Sequence, residues 1–400
     1  MRLPGPSEAF VLSDDARERN PAPARLYRDP VDVIVAHRLE EVQPALDRLA
    51  EAGERGLHAA GYISYEAGLV LEDRLLRLAA GQKGRAPAMP LLWFGLFEGH
   101  RLIDPDLMPD LLPDPATASI EPPRPLVDEQ AYRVAFDRVQ EYIRAGDIYQ
   151  VNLTFPCATR FTGDVMALYA AIRPRQRAGY GGIIRTGAQN ILSFSPELFF
   201  TNVRGQLTAR PMKGTARRAA DPARDAALAE QLETDAKQRA ENLMIVDLLR
   251  NDLSRVARAG TVTVPDLFHV ETYPTVHQMV STIRARLLPG LGPIDILRVL
   301  FPCGSITGAP KVRAMEIIDA VEAFPRDVYT GAMGWIDPNG DAAFNVAIRT
   351  IWVEEGSSEG RLGLGSGIIA DSDAASEWAE CLAKGRFLTA AGTVGLRGLE

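Results

Sequence analysis

Apolar residues recur along this chain with two periods, and the switches between them outline its elements. From Leu39 to Leu49 and from Leu69 to Leu78 the apolar positions keep a helical period. Glu129 to Ala145 places Val134, Val139 and Ile143 on a helical period and stops at Gly146, and a strand-like run, Ile148 to Phe155, follows. Lys237 to Val256 reads as a further helix through Val246, Leu249, Leu253 and Val256, with Glu241 near its start. Between these helices, Asn190 to Thr215 reads as apolar strands around a hairpin turn at Arg204-Gly205. A two-residue loop pairs Val203 with Gln206 and, counted outward, Glu197 with Met212. Lys213 then stands beside Glu197 at the hairpin's open end, across strands about 5 Å apart. The same placement suits a reactive ammonium-carboxylate pair and a structural cross-strand ion pair.

A second β run, Tyr329 to Asp371, folds on paper into three strands with turns at Pro338-Asn339-Gly340 and at Gly356 to Gly360. Counting outward sets Tyr329 opposite Arg349 or Thr350 and Arg349 opposite Gly367, so three strands meet in one row. The glycines 363, 365 and 367 withdraw side chains next to that arginine and open backbone N–H groups to an anion. A tightly packed corner explains them equally well. The last helix opens on the capping cluster Asp371-Ser-Asp373, and Glu377, Glu380 and Lys384 fall at i, i+3 and i+7 on one face. Prolines 109, 113, 115, 122, 123 and 125 interrupt regular structure. They divide the chain into an amino-terminal region, residues 1–118, and residues 119–400, which hold the polar motifs.

Composition narrows the class. The 400 residues are 46% apolar and 24% charged, which fits a soluble globular chain and excludes disordered and fibrous ones. With 44 basic against 52 acidic residues the formal charge is -8, which argues against a general nucleic-acid or membrane-surface binder. Cys157, Cys303 and Cys381 form neither a disulfide framework nor a CxxC motif, so a reducing cytoplasm is expected. The amino terminus lacks an apolar core of signal-peptide length, and the longest apolar run, Leu91 to Phe97, falls far short of a membrane span. Zinc has no support, since HExxH is absent and the five histidines are scattered. Magnesium often takes one or two carboxylates, for which Glu241 and Glu380 suffice. Gly304 to Lys311 fails the Walker A spacing. His277, taken alone, fits a structural hydrogen-bonder better than a catalyst.

Six motifs occur together and in order: Asp147-Ile-Tyr-Gln-Val-Asn152, Ser195-Pro-Glu197, Pro211-Met-Lys-Gly-Thr215, Glu241-Asn-Leu-Met-Ile-Val-Asp247, Gly304-Ser-Ile-Thr-Gly-Ala-Pro-Lys311 and Gly365-Ser-Gly-Ile-Ile-Ala-Asp371. Over residues 128 to 388 the chain resembles the chorismate-utilising enzymes, and Tyr62-Ile-Ser-Tyr-Glu-Ala-Gly68 is similar to their amino-terminal part. The resemblance implies a single compact α+β body of the anthranilate synthase component I type, two large antiparallel sheets packed as a sandwich with helices outside, so the proline-rich boundary is expected to mark a division within one body. It implies chorismate as substrate and Mg2+ as cofactor, with Glu241 and Glu380 as ligands and Glu377 close to the metal. It implies carboxylate binding by Arg349, Tyr329 and Lys384, with backbone help at Gly214, Thr215, Gly308, Ser366 and Gly367. His277 and Thr307 match residues lining the ring, and Glu197 matches the general acid that protonates the departing C4 hydroxyl.

Isochorismate and salicylate synthases resemble the chain but carry a water-activating lysine where Gln150 stands, and glutamine cannot act as that base. Lys213 in PMKGT resembles the aminodeoxychorismate synthase component I branch, whereas anthranilate synthases usually have alanine there. That branch implies a transaminating transferase in the 4-aminobenzoate and folate route, working through a covalent intermediate on Lys213. It also implies a separate glutamine amidotransferase that supplies ammonia and a separate aminodeoxychorismate lyase downstream. The alternatives are an anthranilate synthase component I and a noncatalytic chorismate-binding subunit.

Overall fold

The computed structural model describes residues 3–5, 8–81, 87–273 and 276–388. Their strands form two antiparallel sheets, of eleven and ten strands. Alternation of side chains across a strand gives each sheet an inner face, and the two inner faces meet. Val11, Tyr27, Ile184, Ile191 and Trp352 of the larger sheet share one apolar cluster with Ala60, Tyr62, Trp93 and Met333 of the smaller. Helices cover the outside. Leu39–Glu54 buries Val42, Leu46 and Leu49, and Glu129–Arg144 sets Tyr132 edge-on against Phe155. This is the α+β sandwich with outer helices that the motif resemblance implied.

Residues 1–118 supply strands to both sheets. Phe10–Asp14 pairs with Gly181–Arg185 in the larger sheet, and His58–Ile63 pairs with Ala332–Ile336 in the smaller. The proline passage ends in two short strands, Ser119–Ile120 and Arg124–Pro125, both bonded to Gln150–Thr162.

The expected helix over Leu69 to Leu78 is broken into 3-10 turns, Tyr65–Val70 and Asp73–Leu75, before the helix Leu76–Gly81. The strand expected from Ile148 begins at Gln150 and runs on to Thr162. The larger correction concerns the second β run. Its hairpin turns are as read, but Ala332–Ile336 and Ala342–Val346 belong to the smaller sheet, whereas Thr350–Glu354 and Glu359–Ile368 belong to the larger. The chain changes sheets through Ala347 to Arg349, where Arg349 takes a left-handed φ of 49°. The row joining Tyr329, Arg349 and Gly367 therefore does not form. Counting from turns assumes one continuous sheet, and nothing in that assumption registers a crossover.

The first hairpin shows the same effect on a smaller scale. Val203 faces Gln206 as counted, but a bulge between Leu198 and Thr201 sets Leu198 opposite Arg210, one residue short of the counted register. Glu197 thus aligns with Pro211 by continuation, and Lys213 lies on the next strand, Met212–Arg217, which pairs with Val276–Arg286 instead.

Candidate functional site

Lys213 stands on an edge strand of the smaller sheet and reaches across to Glu359–Ile368, an interior strand of the larger one. A side-chain carbon at Gly367 would collide with Lys213 Nζ and approach Gln150 Nε2 to 3.0 Å. Gly367 therefore has no side chain because an amine and an amide occupy that space. Gly363 serves Tyr329 in the same way, since the tyrosine ring lies where its side chain would begin. The glycine strand makes room for Tyr329 and Lys213, not for Arg349 as its spacing suggested. Gly365, Ser366 and Gly367 lie within a strand, bonded to Thr154, Leu153 and Asn152. Strand alternation turns Ser366 away from the Gly367 face.

Glu197 is buried at the entry of its strand, where its N–H donates to Ser195 Oγ at 3.2 Å and its carbonyl accepts from Val346 at 3.1 Å. Burial pushes its carboxyl up to about 7, against the opposing pull of the Ser305 hydroxyl, Lys213 and the Met212 amide. Burial also lowers Lys213, and Lys384 adds to that, while Glu241, Glu380 and Glu377 oppose it. Lys213 and Glu197 are thus both moved toward their neutral forms. A neutral amine is a nucleophile and a neutral carboxyl is an acid. Glu197 Oε1 and both amide atoms of Gln150 are buried without a partner. Unpaired polar atoms at such a place are completed by a polar ligand or water.

The acidic face is formed from two helices. Asp235 caps Ala236–Ser254, which carries Glu241, and Asp373 caps Ala374–Gly385, which carries Glu377, Glu380 and Lys384. Burial raises Glu241, with opposition from Lys213 and Lys237, and Glu377 and Glu380 push the same way. For Glu380, burial is outweighed by Lys384, 2.8 Å away, and by Lys213, so its carboxyl is held below the usual range. Glu377 accepts from Ser372 Oγ at 2.7 Å. Among the described residues the oxygens of these three glutamates do not all lie within 4.8 Å of one another. Mutual repulsion among anionic oxygen donors, with a side chain of Glu380 that remains 57% exposed, fits a hard divalent cation held by one or two carboxylates and completed by water.

Arg349 is half-buried at the crossover. Its Nη1 donates to Gln176 Oε1 at 3.3 Å, and burial lowers its pKa while Tyr273 opposes the shift. Lys384 Nζ donates to Gly365 O at 2.9 Å, which ties the acidic helix to the glycine strand. Gly214 has φ 97° and offers its carbonyl to Gln278 Nε2 at 2.8 Å, and Thr215 Oγ1 donates to Gln278 Oε1 at 3.0 Å. Thr307 Oγ1 donates into its own turn, to Cys303 O at 3.1 Å and Gly304 O at 3.2 Å. Gly308 packs directly on the backbone of Gln150 and Val151.

His277 is bonded on both sides of its ring. Its Nδ1 is 3.0 Å from Thr272 Oγ1 and its Nε2 is 3.0 Å from Asp225 Oδ1, so both ring nitrogens are engaged by the helix and strand beside it. The neighbouring Gln278, on the opposite face of the same strand, touches Gly214 and Thr215. The bonds to Thr272 and Asp225 hold the His277 ring in the way of a structural hydrogen-bonder, the role that the histidine taken alone suggested. Gln176 and Gln278 carry no sequence signal of their own, and Ser305 and Asn242 stand inside motifs that assign them no role, because each acts on a residue that is distant in sequence. The three cysteines are buried, and burial pushes Cys157 and Cys303 up to about 12 and Cys381 up to about 11, which leaves them poor nucleophiles.

A profile of the family described as chorismate binding enzyme matches residues 8–390. Aminodeoxychorismate synthase component 1 of Klebsiella aerogenes is 43% identical over 258 residues, 64% of this chain and 57% of that protein. Anthranilate synthase component 1 of Neisseria meningitidis serogroup B is 38% identical over 272 residues, 68% of this chain and 55% of that protein. In both cases the match spans little more than half of the relative's length. The crystal structure of anthranilate synthase component I from Streptococcus pneumoniae superposes with a TM-score of 0.77 at 24% identity, over 97% of this chain and 93% of that one. The shared architecture is the sandwich described above.

Proposed function

Since the chain belongs to the chorismate binding enzyme family, we propose that it makes 4-amino-4-deoxychorismate from chorismate and ammonia. The observation that carries this reading is the pair formed by Lys213 and Glu197, each shifted toward its neutral form, with Lys213 Nζ set against Gly367. Replacing a C4 hydroxyl by an amino group with configuration kept requires two displacements. Lys213 Nζ adds to C2, the ring double bonds shift, and the C4–O bond breaks as Glu197 delivers its proton and water departs. Ammonia then adds to C4, the double bonds shift back, the C2–N bond breaks, and the lysine amine is released. The net change is loss of one water and gain of one ammonia.

Chorismate is a dicarboxylate and the chain has a formal charge of -8, so its binding needs local positive charge. Arg349 and Lys384 supply part of it, and the Tyr329 hydroxyl adds a neutral hydrogen-bond donor. Glu241 and Glu380, with Glu377 beside them, would hold Mg2+, which when bound neutralises substrate carboxylate charge. The ammonia source is a glutamine amidotransferase partner, a reading supported by the component 1 names of the relatives. The product keeps its enolpyruvyl group, so release of 4-aminobenzoate falls to a separate lyase. The acidic charge and unpaired cysteines favour a cytoplasmic setting without nucleic-acid partners, and no helix among the described residues is long and apolar enough to cross a membrane.

The test is incubation of purified protein with chorismate, Mg2+ and ammonium, followed by mass identification of the product. Exchange of hydroxyl for amino without pyruvate release supports the reading. Pyruvate with a fluorescent aromatic product would assign the anthranilate reaction, and saturable binding without turnover would assign a noncatalytic subunit.

Two variants probe the binding groups. Glu380→Gln removes a metal carboxylate from an exposed position, so the half-saturating Mg2+ concentration should rise roughly 10-fold or more while the thermal midpoint barely moves. An unchanged magnesium titration would remove Glu380 from the metal site. Arg349→Lys should raise the KM for chorismate by roughly 10- to 100-fold, the cost of a lost charge-assisted bond of about 1.5–3 kcal/mol. A KM within twofold of wild type would show that this arginine does not meet a substrate carboxylate.

A further inference from the structure

The strand that carries Lys213 is irregular at that residue. Met212 faces Val280 and Thr215 faces Gln278, so Lys213 and Gly214 together oppose Met279 alone. A bulge of this kind takes backbone groups out of the ladder. The carbonyl of Lys213 accepts instead from Asn242 Nδ2, 3.2 Å away on the helix Ala236–Ser254. Asn242 is fully buried, and its other end accepts from Ser281 Oγ at 2.6 Å. Ser281, also fully buried, receives Phe268 N–H at 3.1 Å, at a second bulge where Phe268 has φ 64°. Because the Ser281 oxygen already accepts from Phe268, its proton is free for the Asn242 oxygen. The Asn242 amide must then turn its NH2 toward Lys213, so a single orientation satisfies the chain of bonds.

We propose that Asn242 is the positioning residue for Lys213, holding the bulge that aims its amine at Gly367. The inference rests on the reading of Lys213 as nucleophile. Without the bulge the strand regains a regular register, and a one-residue shift sends a side chain to the opposite face of the sheet. Asn242 also directly follows Glu241 in its helix, so the same amide fixes the spacing between the metal carboxylate and the nucleophile. A partner that merely filled space would need neither the NH2 nor the Ser281 hydroxyl.

The experiment compares Asn242→Leu, similar in volume but without either bond, with Ser281→Ala, which leaves the amide in place but unanchored. In both, thermal midpoint, chorismate KM, kcat and capture of chorismate mass on Lys213 are measured. A misplacement of about 1 Å costs about 10²-fold. Asn242→Leu should therefore lower kcat and the rate of Lys213 capture by about 10²-fold with KM little changed, and Ser281→Ala should do the same to a smaller degree. Unchanged kcat in folded Asn242→Leu, or kcat and KM lost together, would overturn the inference. Should Asn242→Leu not fold, Ser281→Ala decides by the same criteria. A crystal structure of whichever variant folds tests the role independently of the reaction. A retained bulge with Nζ still at Gly367 would overturn the positioning role, and a regularised strand would support it. Wild-type protein that binds chorismate without turnover would instead refute the proposed function.

Discussion

Lys213→Ala is expected to abolish covalent capture of the chorismate ring and to lower aminodeoxychorismate formation by about 10³-fold or more, the scale on which removal of a nucleophile acts. The amine is the group nearest to the space a Gly367 side chain would fill, and it lies within the fields of Glu241, Glu377 and Glu380. Alanine leaves a cavity on the ring side, open to ammonia or water. Direct attack at C2 then becomes available, and the residual activity should drift toward the anthranilate-type reaction with pyruvate release. Truncating Lys213 also removes a buried group that faces Glu241, Glu377 and Glu380, so the thermal midpoint must be measured beside the rate. Mass spectrometry of a quenched wild-type reaction supplies the control. Full aminodeoxychorismate synthesis by a folded Lys213→Ala protein would eliminate the covalent route.

How far the sequence reveals this arrangement depends on the range of the interaction that sets each part. The helices around Glu241 and Glu380 are legible because a local period and a local cap, Asp235 and Asp373, determine them. Hairpin turns at Arg204-Gly205 and Pro338-Asn339-Gly340 are legible for the same reason. Register beyond the turn is not. The bulge at Leu198 depends on pairing with two neighbours at once, Arg210 on one side and Asn345 on the other. The crossover at Arg349 depends on two sheets already being in place. Arg349 is legible as an arginine close to glycine strands, but a row with Tyr329 and Gly367 arises only when the count stays within a single sheet.

The site divides along the same line. Motif residues such as Lys213, Glu197 and Glu241 stand out because short patterns hold them. His277 shows the limit of a short pattern: successive side chains of a strand point to opposite faces, so the pattern does not say whether His277 or Gln278 faces the bulge at Gly214, and Gln278 is the one bonded there. Of the supporting amides, Gln176 has no pattern to betray it. Asn242 lies inside the Glu241 to Asp247 motif, yet nothing local assigns it a role, and only the missing ladder bond of Lys213 does.

Glu197→Gln is expected to lower kcat by about 10²- to 10⁴-fold, the range for loss of a general acid. The amide keeps the shape and can still accept from the Met212 N–H, but it has no acidic proton for the departing hydroxyl. Substrate affinity should be nearly unchanged. Two pH measurements separate this role from a structural one. The folded-state pKa of about 7 lies above the ordinary value of 4.5, so between those limits the native state binds more protons than the unfolded chain. The free energy of unfolding must then fall as pH rises through this window, and the group's contribution, full below 4.5, is lost above 7. Removing the titrating carboxyl should flatten that part of the thermal midpoint profile. In the wild type, kcat/KM should decline on the alkaline side with an apparent pKa near 7, because the acid is ionised there, and this limb should vanish in Glu197→Gln. A variant that keeps both the alkaline limb and wild-type kcat would show that another group protonates the leaving hydroxyl, and Glu197 would then be only an electrostatic partner of Lys213.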